Sequence, residues 1–138
     1  MPDHVAVLSL ATILLAWSPS LSPDVELRAG ESAEFENHDL RLTFEAVRSD
    51  SRCPVDVTCI RAGEAVVVLD ASFGGDEPVE LVFEVPPGGG DEHVVEGTRI
   101  EIVALSPEAR SDRNIESQDY VVTVHVESSA SLGGENEL

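Results

Sequence analysis

The chain has 138 residues and carries 8 Lys+Arg against 27 Asp+Glu, for a formal net charge of −19. That balance argues against a nucleic-acid binder, which needs a basic face for phosphates, and equally against an anionic membrane surface. Apolar residues make up 42% and aromatic residues only 4%, so the chain can bury one core, and that core is aliphatic. All eight basic residues are arginines, with no Lys. Acid excess without Lys is the composition of a halophilic protein, in which hydrated carboxylates keep the surface soluble and salt screens their repulsion. An ordinary acidic secreted protein is the other reading.

The first element is an apolar run from Val5 to Trp17, followed by Ser18-Pro19-Ser20-Leu21-Ser22-Pro23. Its length suits a signal-peptide core and is too short for a spanning anchor, so residues 1–23 read as an export signal. The leading Met1-Pro2-Asp3-His4 has no Lys or Arg, and no A-x-A cleavage site stands out. A buried first strand or helix is the structural alternative. No Cys follows the run, which argues against a lipid-attached lipoprotein.

Residues 24–127 read as strands and turns. Val25–Ala29 and Ser32–Glu36 open the domain. Leu40, Leu42, Phe44 and Ala46 then alternate with Arg41, Thr43 and Glu45, the period of a half-buried strand. Ala65-Val66-Val67-Val68-Leu69 is apolar on both faces and predicts a central strand. After the turn at Gly74-Gly75-Asp76-Glu77-Pro78, Val79, Leu81, Phe83 and Val85 alternate again. Beyond the Pro86–Asp91 break, His93–Glu96 predicts a short strand. Thr98–Leu105 follows, with Ile100, Ile102 and Ala104 on one side. Ser106 as N-cap and Pro107 at the first helical position predict a single helical turn. Asp119–Glu127 closes the domain with Tyr120, Val122, Val124 and Val126 inward, and residues 128–138 read as a disordered acidic tail. Short strands, Gly/Pro turns and no helical period predict an all-β fold: an immunoglobulin-like antiparallel β-sandwich, or alternatively a small β-barrel.

The two cysteines, Cys53 and Cys59, stand at C-x5-C spacing, which fits neither a thioredoxin-type redox pair nor a zinc site. In an exported chain they are expected to form a disulfide, with free thiols as the alternative. Around them runs Asp50-Ser51-Arg52-Cys53-Pro54-Val55-Asp56-Val57-Thr58-Cys59-Ile60-Arg61-Ala62-Gly63-Glu64-Ala65. This segment resembles the D-S-R-C-P-x-x-V-x-C-[VI]-W-x-G-[ED]-A motif of a family of small exported bacterial proteins without an assigned function. The later Leu105-Ser106-Pro107 and the Asp119–Val126 strand are similar to that family's closing segments. Arg61 stands where the family usually has Trp. The resemblance implies export, a disulfide and a β domain, and it supplies no reaction.

Read from its residues, the segment is a strand, a disulfide-closed turn stiffened by Pro54, and a return strand. Two roles are open for it: a staple at a sandwich corner, or a presented interaction loop of Arg52, Pro54, Val55, Asp56, Val57 and Arg61. The acid pairs Asp76-Glu77 and Asp91-Glu92 lack the alternating spacing of calcium loops. His4, His38, His93 and His125 show no metal-ligand spacing, and His125 reads as an outward residue of the last strand. No nucleophile elbow, P-loop or dinucleotide motif appears, so neither metal, cofactor nor catalytic residue is expected. The expectation is an exported, periplasmic or extracellular, monomeric, non-enzymatic module. It acts on an unknown protein or cell-surface partner, with no nucleic acid and no membrane span after signal cleavage. The alternatives are an enzyme inhibitor presenting the Cys53–Cys59 loop and a small hydrolase with a carboxylate pair assembled across strands.

Overall fold

The structure is a computed structural model that describes residues 24–129. The expected signal peptide, residues 1–23, and residues 130–138 of the expected tail lie outside the described residues. Eight strands form in chain order: β1 (Val25–Arg28), β2 (Ser32–Phe35), β3 (Leu40–Asp50), β4 (Ala65–Phe73), β5 (Val79–Val85), β6 (Asp91–Val95), β7 (Thr98–Ser106) and β8 (Val121–Ser128). They make two four-stranded sheets, ordered β1-β8-β7-β6 and β2-β3-β4-β5, antiparallel throughout. The protein is an antiparallel β-sandwich. Apart from β1 with β8, each pairing joins strands that follow one another in the chain, so the connectivity is a meander.

Alternation places the core. Leu42, Phe44, Val67, Leu69, Phe83 and Ile102 are fully buried between the sheets, each contributing roughly 1.5–3 kcal/mol of burial. The expected central strand is β4, held between β3 and β5, and its outward Val68 is buried as well. Two β-bulges change the expected faces. One between Phe44 and Ala46 leaves Ala46 exposed and turns Val47 toward the core. The other, between Ile102 and Ala104, gives the inward place to Leu105 instead of Ala104. Each extra residue reverses the pleat beyond it.

The edges of β5 and β6, which share no ladder, are joined by side chains. The Glu84 amide donates to Asp91 Oδ2 at 2.7 Å, and His93 Nε2 donates to the Val82 carbonyl at 2.7 Å. The His93 ring also meets Phe83 edge-on, with centroids 4.5 Å apart. Edge groups that would template another strand are thereby occupied.

The helical turn expected at Ser106-Pro107 does not form. Ser106 is the last residue of β7 and pairs with Val121, and a 3-10 turn occurs instead at Ser117–Asp119. The domain also extends further than expected, because Ser128 pairs with Thr98 and the Ser129 amide donates to the Gly97 carbonyl at 2.9 Å.

Candidate interaction loop and its buried support

β3 and β4 are adjacent antiparallel strands, but fourteen residues separate Asp50 from Ala65, so the chain must leave the sheet and return. Its neck is an extension of the ladder. The Ser51 amide and hydroxyl both donate to the Glu64 carbonyl, at 2.8 and 2.9 Å, and the Cys53 amide donates to the Ala62 carbonyl at 2.7 Å. Gly63 permits this approach. Its φ is +70°, and a Cβ there would lie 1.8 Å from the Ser51 carbonyl oxygen. Beyond the neck, Cys53 and Cys59 are joined by a disulfide.

The loop is also tied sideways to the β7–β8 connection. The Val55 amide donates to the Ala109 carbonyl at 2.9 Å, and the Asp56 carboxylate accepts the Ser111 amide at 2.9 Å and the Ser111 hydroxyl. Those two bonds hold the Asp56 carboxyl below its ordinary pKa. Thus fixed, the loop presents large apolar side chains to solvent: Val55 is 52% exposed, Val57 46%, and Ile60 fully. Arg61 is exposed beside Ile60, Asp56 is exposed, and Pro54 is half-buried.

Arg52 departs from the expected set. Placed among the presented residues by its position in the motif, it is buried and points under the loop. Its Nε and Nη2 donate to the two oxygens of Asp50 at 2.8 Å each, a bidentate pair. Nη1 donates to the Leu105 carbonyl at 3.1 Å, and Nη2 also to the Pro107 carbonyl at 3.0 Å. The Tyr120 hydroxyl completes the cluster by donating to Asp50 Oδ2 at 2.9 Å. Burial pushes the Asp50 carboxyl up, but the bonds from Arg52 and Tyr120 outweigh it and hold the group below its ordinary value. The bond to Asp50 strengthens the Arg52 charge further. Burial first, and then the neighbouring carboxylate, push the Tyr120 hydroxyl up to about 12. A charged pair removed from water is tolerable only when saturated like this.

Asp50 and Tyr120, together with Ser111 as the anchor of Asp56, are the support residues that sequence reasoning missed. The signal available for Asp50 was its spacing: residues two apart in an extended strand share a face, so Asp50 and Arg52 can pair. Nothing local marks Tyr120 or Ser111 as partners.

Other candidates have other roles. Asp91 binds the Glu84 amide and Glu92 pairs with Arg99, which Glu101 and Glu127 also contact. His125 is half-buried on the outer face, with Nδ1 2.8 Å from Asp24. Among the described residues, no three His, Cys, Asp or Glu side chains group in a way that could hold a metal ion. Several carboxylates meet across strands, among them Asp70 with Glu80 and Glu92 with Glu101. Glu45 on β3 meets Asp70 on β4, and its hydrogen bond with Asp70, then the Asp70 charge, raise the Glu45 pKa. Glu45 and Asp70 line an open pocket of about 300 Å³ on the outer face of the sheet. Comparison of the chain with family models, curated proteins and solved structures finds no match.

Proposed function

We propose that the protein is an exported, non-enzymatic module that acts by surface contacts outside the cytoplasmic membrane, with the Cys53–Cys59 loop as its contact surface. The observation that carries this reading is the pairing of exposure with fixation. Val55, Val57 and Ile60 stand in solvent on a loop whose backbone is bonded at its neck and to Ala109, and whose Asp56 carboxylate is bonded to Ser111. Exposed aliphatic side chains on an acidic surface mark a contact site, and a loop ordered in advance loses little entropy on binding. The disulfide is compatible with export, as is the resemblance of this segment to small exported proteins. No helix among the described residues is long and apolar enough to cross a membrane. The acid-rich, Lys-free composition supports a high-salt setting for those contacts.

The inhibitor reading is a special case of the same surface, with exposed Ile60 and Arg61 as the presented side chains. Arg52 has no part in it, because its donors are turned inward. The hydrolase reading would rest on Glu45 and Asp70. Their pocket on the sheet face is open to solvent, which leaves water in contact with both carboxylates, so it ranks below the loop.

The test is comparative capture from the native high-salt extract by the immobilised chain. The wild type is expected to enrich a protein that Val57→Ser and Ile60→Ser variants no longer enrich, while Val79→Ser, a change at an exposed valine outside the loop, leaves capture intact. Equal capture by all variants would remove the loop from the account.

A further inference from the structure

Beside the loop lies an open recess of about 310 Å³ whose lining includes Asp50, Arg52, Pro54, Arg110, Arg113 and Tyr120. Three of the eight arginines of this −19 chain line it. The one acid among the lining residues, Asp50, already has its oxygens occupied by Arg52 and Tyr120. Arg110 and Arg113 form an isolated antiparallel bridge across the two-residue turn Ser111-Asp112. Bridge partners project from the same face, and like charges placed opposite each other repel. An anion seated between two such guanidiniums relieves that repulsion. The turn is fixed from behind by the bonds of Ser111 to Asp56. Arg113 makes no ion pair with any described residue. Arg110 pairs with the solvent-exposed Asp112 at 3.2 Å, a contact that yields readily to an incoming anion, and also feels the charge of Asp56, whose oxygens are bonded to Ser111.

We propose that this recess binds an oxyanion, either a carboxylate or an inorganic oxyanion, held by the paired guanidiniums of Arg110 and Arg113. Guanidinium forks match the oxygen spacing of both ligand types, and Arg52 behind them is neutralised by Asp50, so the charge for the anion comes from Arg110 and Arg113. The site does not depend on the loop reading, since neither arginine belongs to the disulfide loop.

The test is an NMR titration of the full chain, following backbone amides and arginine Nε–H signals. Sodium sulfate and sodium succinate are each exchanged against sodium chloride at matched ionic strength. Saturable shifts are expected at Arg110, Arg113 and Tyr120. Arg113→Gln should weaken binding roughly tenfold, the loss of one charge-assisted contact, with Arg41→Gln unchanged. Because Arg113 is exposed, its variant keeps the dispersed spectrum of the folded chain. Arg110→Gln provides the second reading. A response to sulfate alone identifies a free inorganic oxyanion as the ligand class. A tighter response to succinate identifies a carboxylate, as on an acidic peptide. Shifts that do not saturate, or that survive both arginine substitutions, would overturn the proposal.

Discussion

The Tyr120 hydroxyl donates to Asp50 Oδ2 at 2.9 Å, joining residues 70 apart in sequence. Arg52 grips the same carboxylate and reaches on to the carbonyls of Leu105 and Pro107. A single half-buried acid therefore ties the end of β3, the root of the disulfide loop, the end of β7 and the entry to β8. This junction positions the loop, and its energetics set the first expectations.

Removing Asp50 leaves a guanidinium that is only 4% exposed without its counter-charge. Asp50→Ala is expected to cost about 3–5 kcal/mol, the range for breaking one side of a buried pair. Urea unfolding measures it. Asp50→Ala combined with Arg52→Met should be less destabilising than Asp50→Ala alone, since no unpaired charge then remains.

The junction also sets a pH dependence. The Tyr120 pKa is raised from 10.0 to about 12, so folding favours its protonated form. Its contribution is full below pH 10 and is lost as pH rises toward 12. Asp50 has the opposite sign: held below its ordinary 3.8, it contributes fully above that value and loses the contribution as pH falls through its lower folded value. Melting temperature against pH should therefore fall at both ends. Tyr120→Phe should cost about 1 kcal/mol at neutral pH and remove the Tyr120 share of the alkaline fall.

Much of this architecture is written locally in the sequence, and the exceptions have physical causes. Strict alternation located β3, β5, β7 and β8 because one face of each is buried. It assigned Ala46 and Ala104 inward where Val47 and Leu105 take those places, because the bulges beside them carry no glycine or other local mark. The loop was legible from its cysteines and Pro54. The role of Arg52 was not, because its acceptor carbonyls lie 53 and 55 residues away. A buried arginine and a presented one look alike until those acceptors are placed.

Gly63 and Gly75 separate backbone conformation from close approach. Both have positive φ, but a Cβ at Gly75 meets nothing within 4 Å, whereas at Gly63 it collides with the Ser51 carbonyl. Gly75→Ala bears only the left-handed backbone, about 1 kcal/mol. Gly63→Ala should cost roughly twice that or more, because the neck must open as well. Thermal unfolding of the two variants makes the comparison.

The disulfide closes a loop that hydrogen bonds already hold. Cys53→Ser with Cys59→Ser is expected to lower stability by about 2 kcal/mol through the freed unfolded chain, without releasing Asp56 from Ser111. Thiol titration of the denatured, unreduced protein should find no free thiol in the wild type. Two free thiols per chain would contradict the bond.

The central claim is that the Cys53–Cys59 loop is exposed and yet fixed, and backbone ¹⁵N relaxation tests it most directly. The amides of Val55, Asp56 and Val57 should show order parameters of about 0.85, matching those of β4. Values below about 0.6 at those positions, beside a rigid β4, would contradict a contact surface ordered in advance.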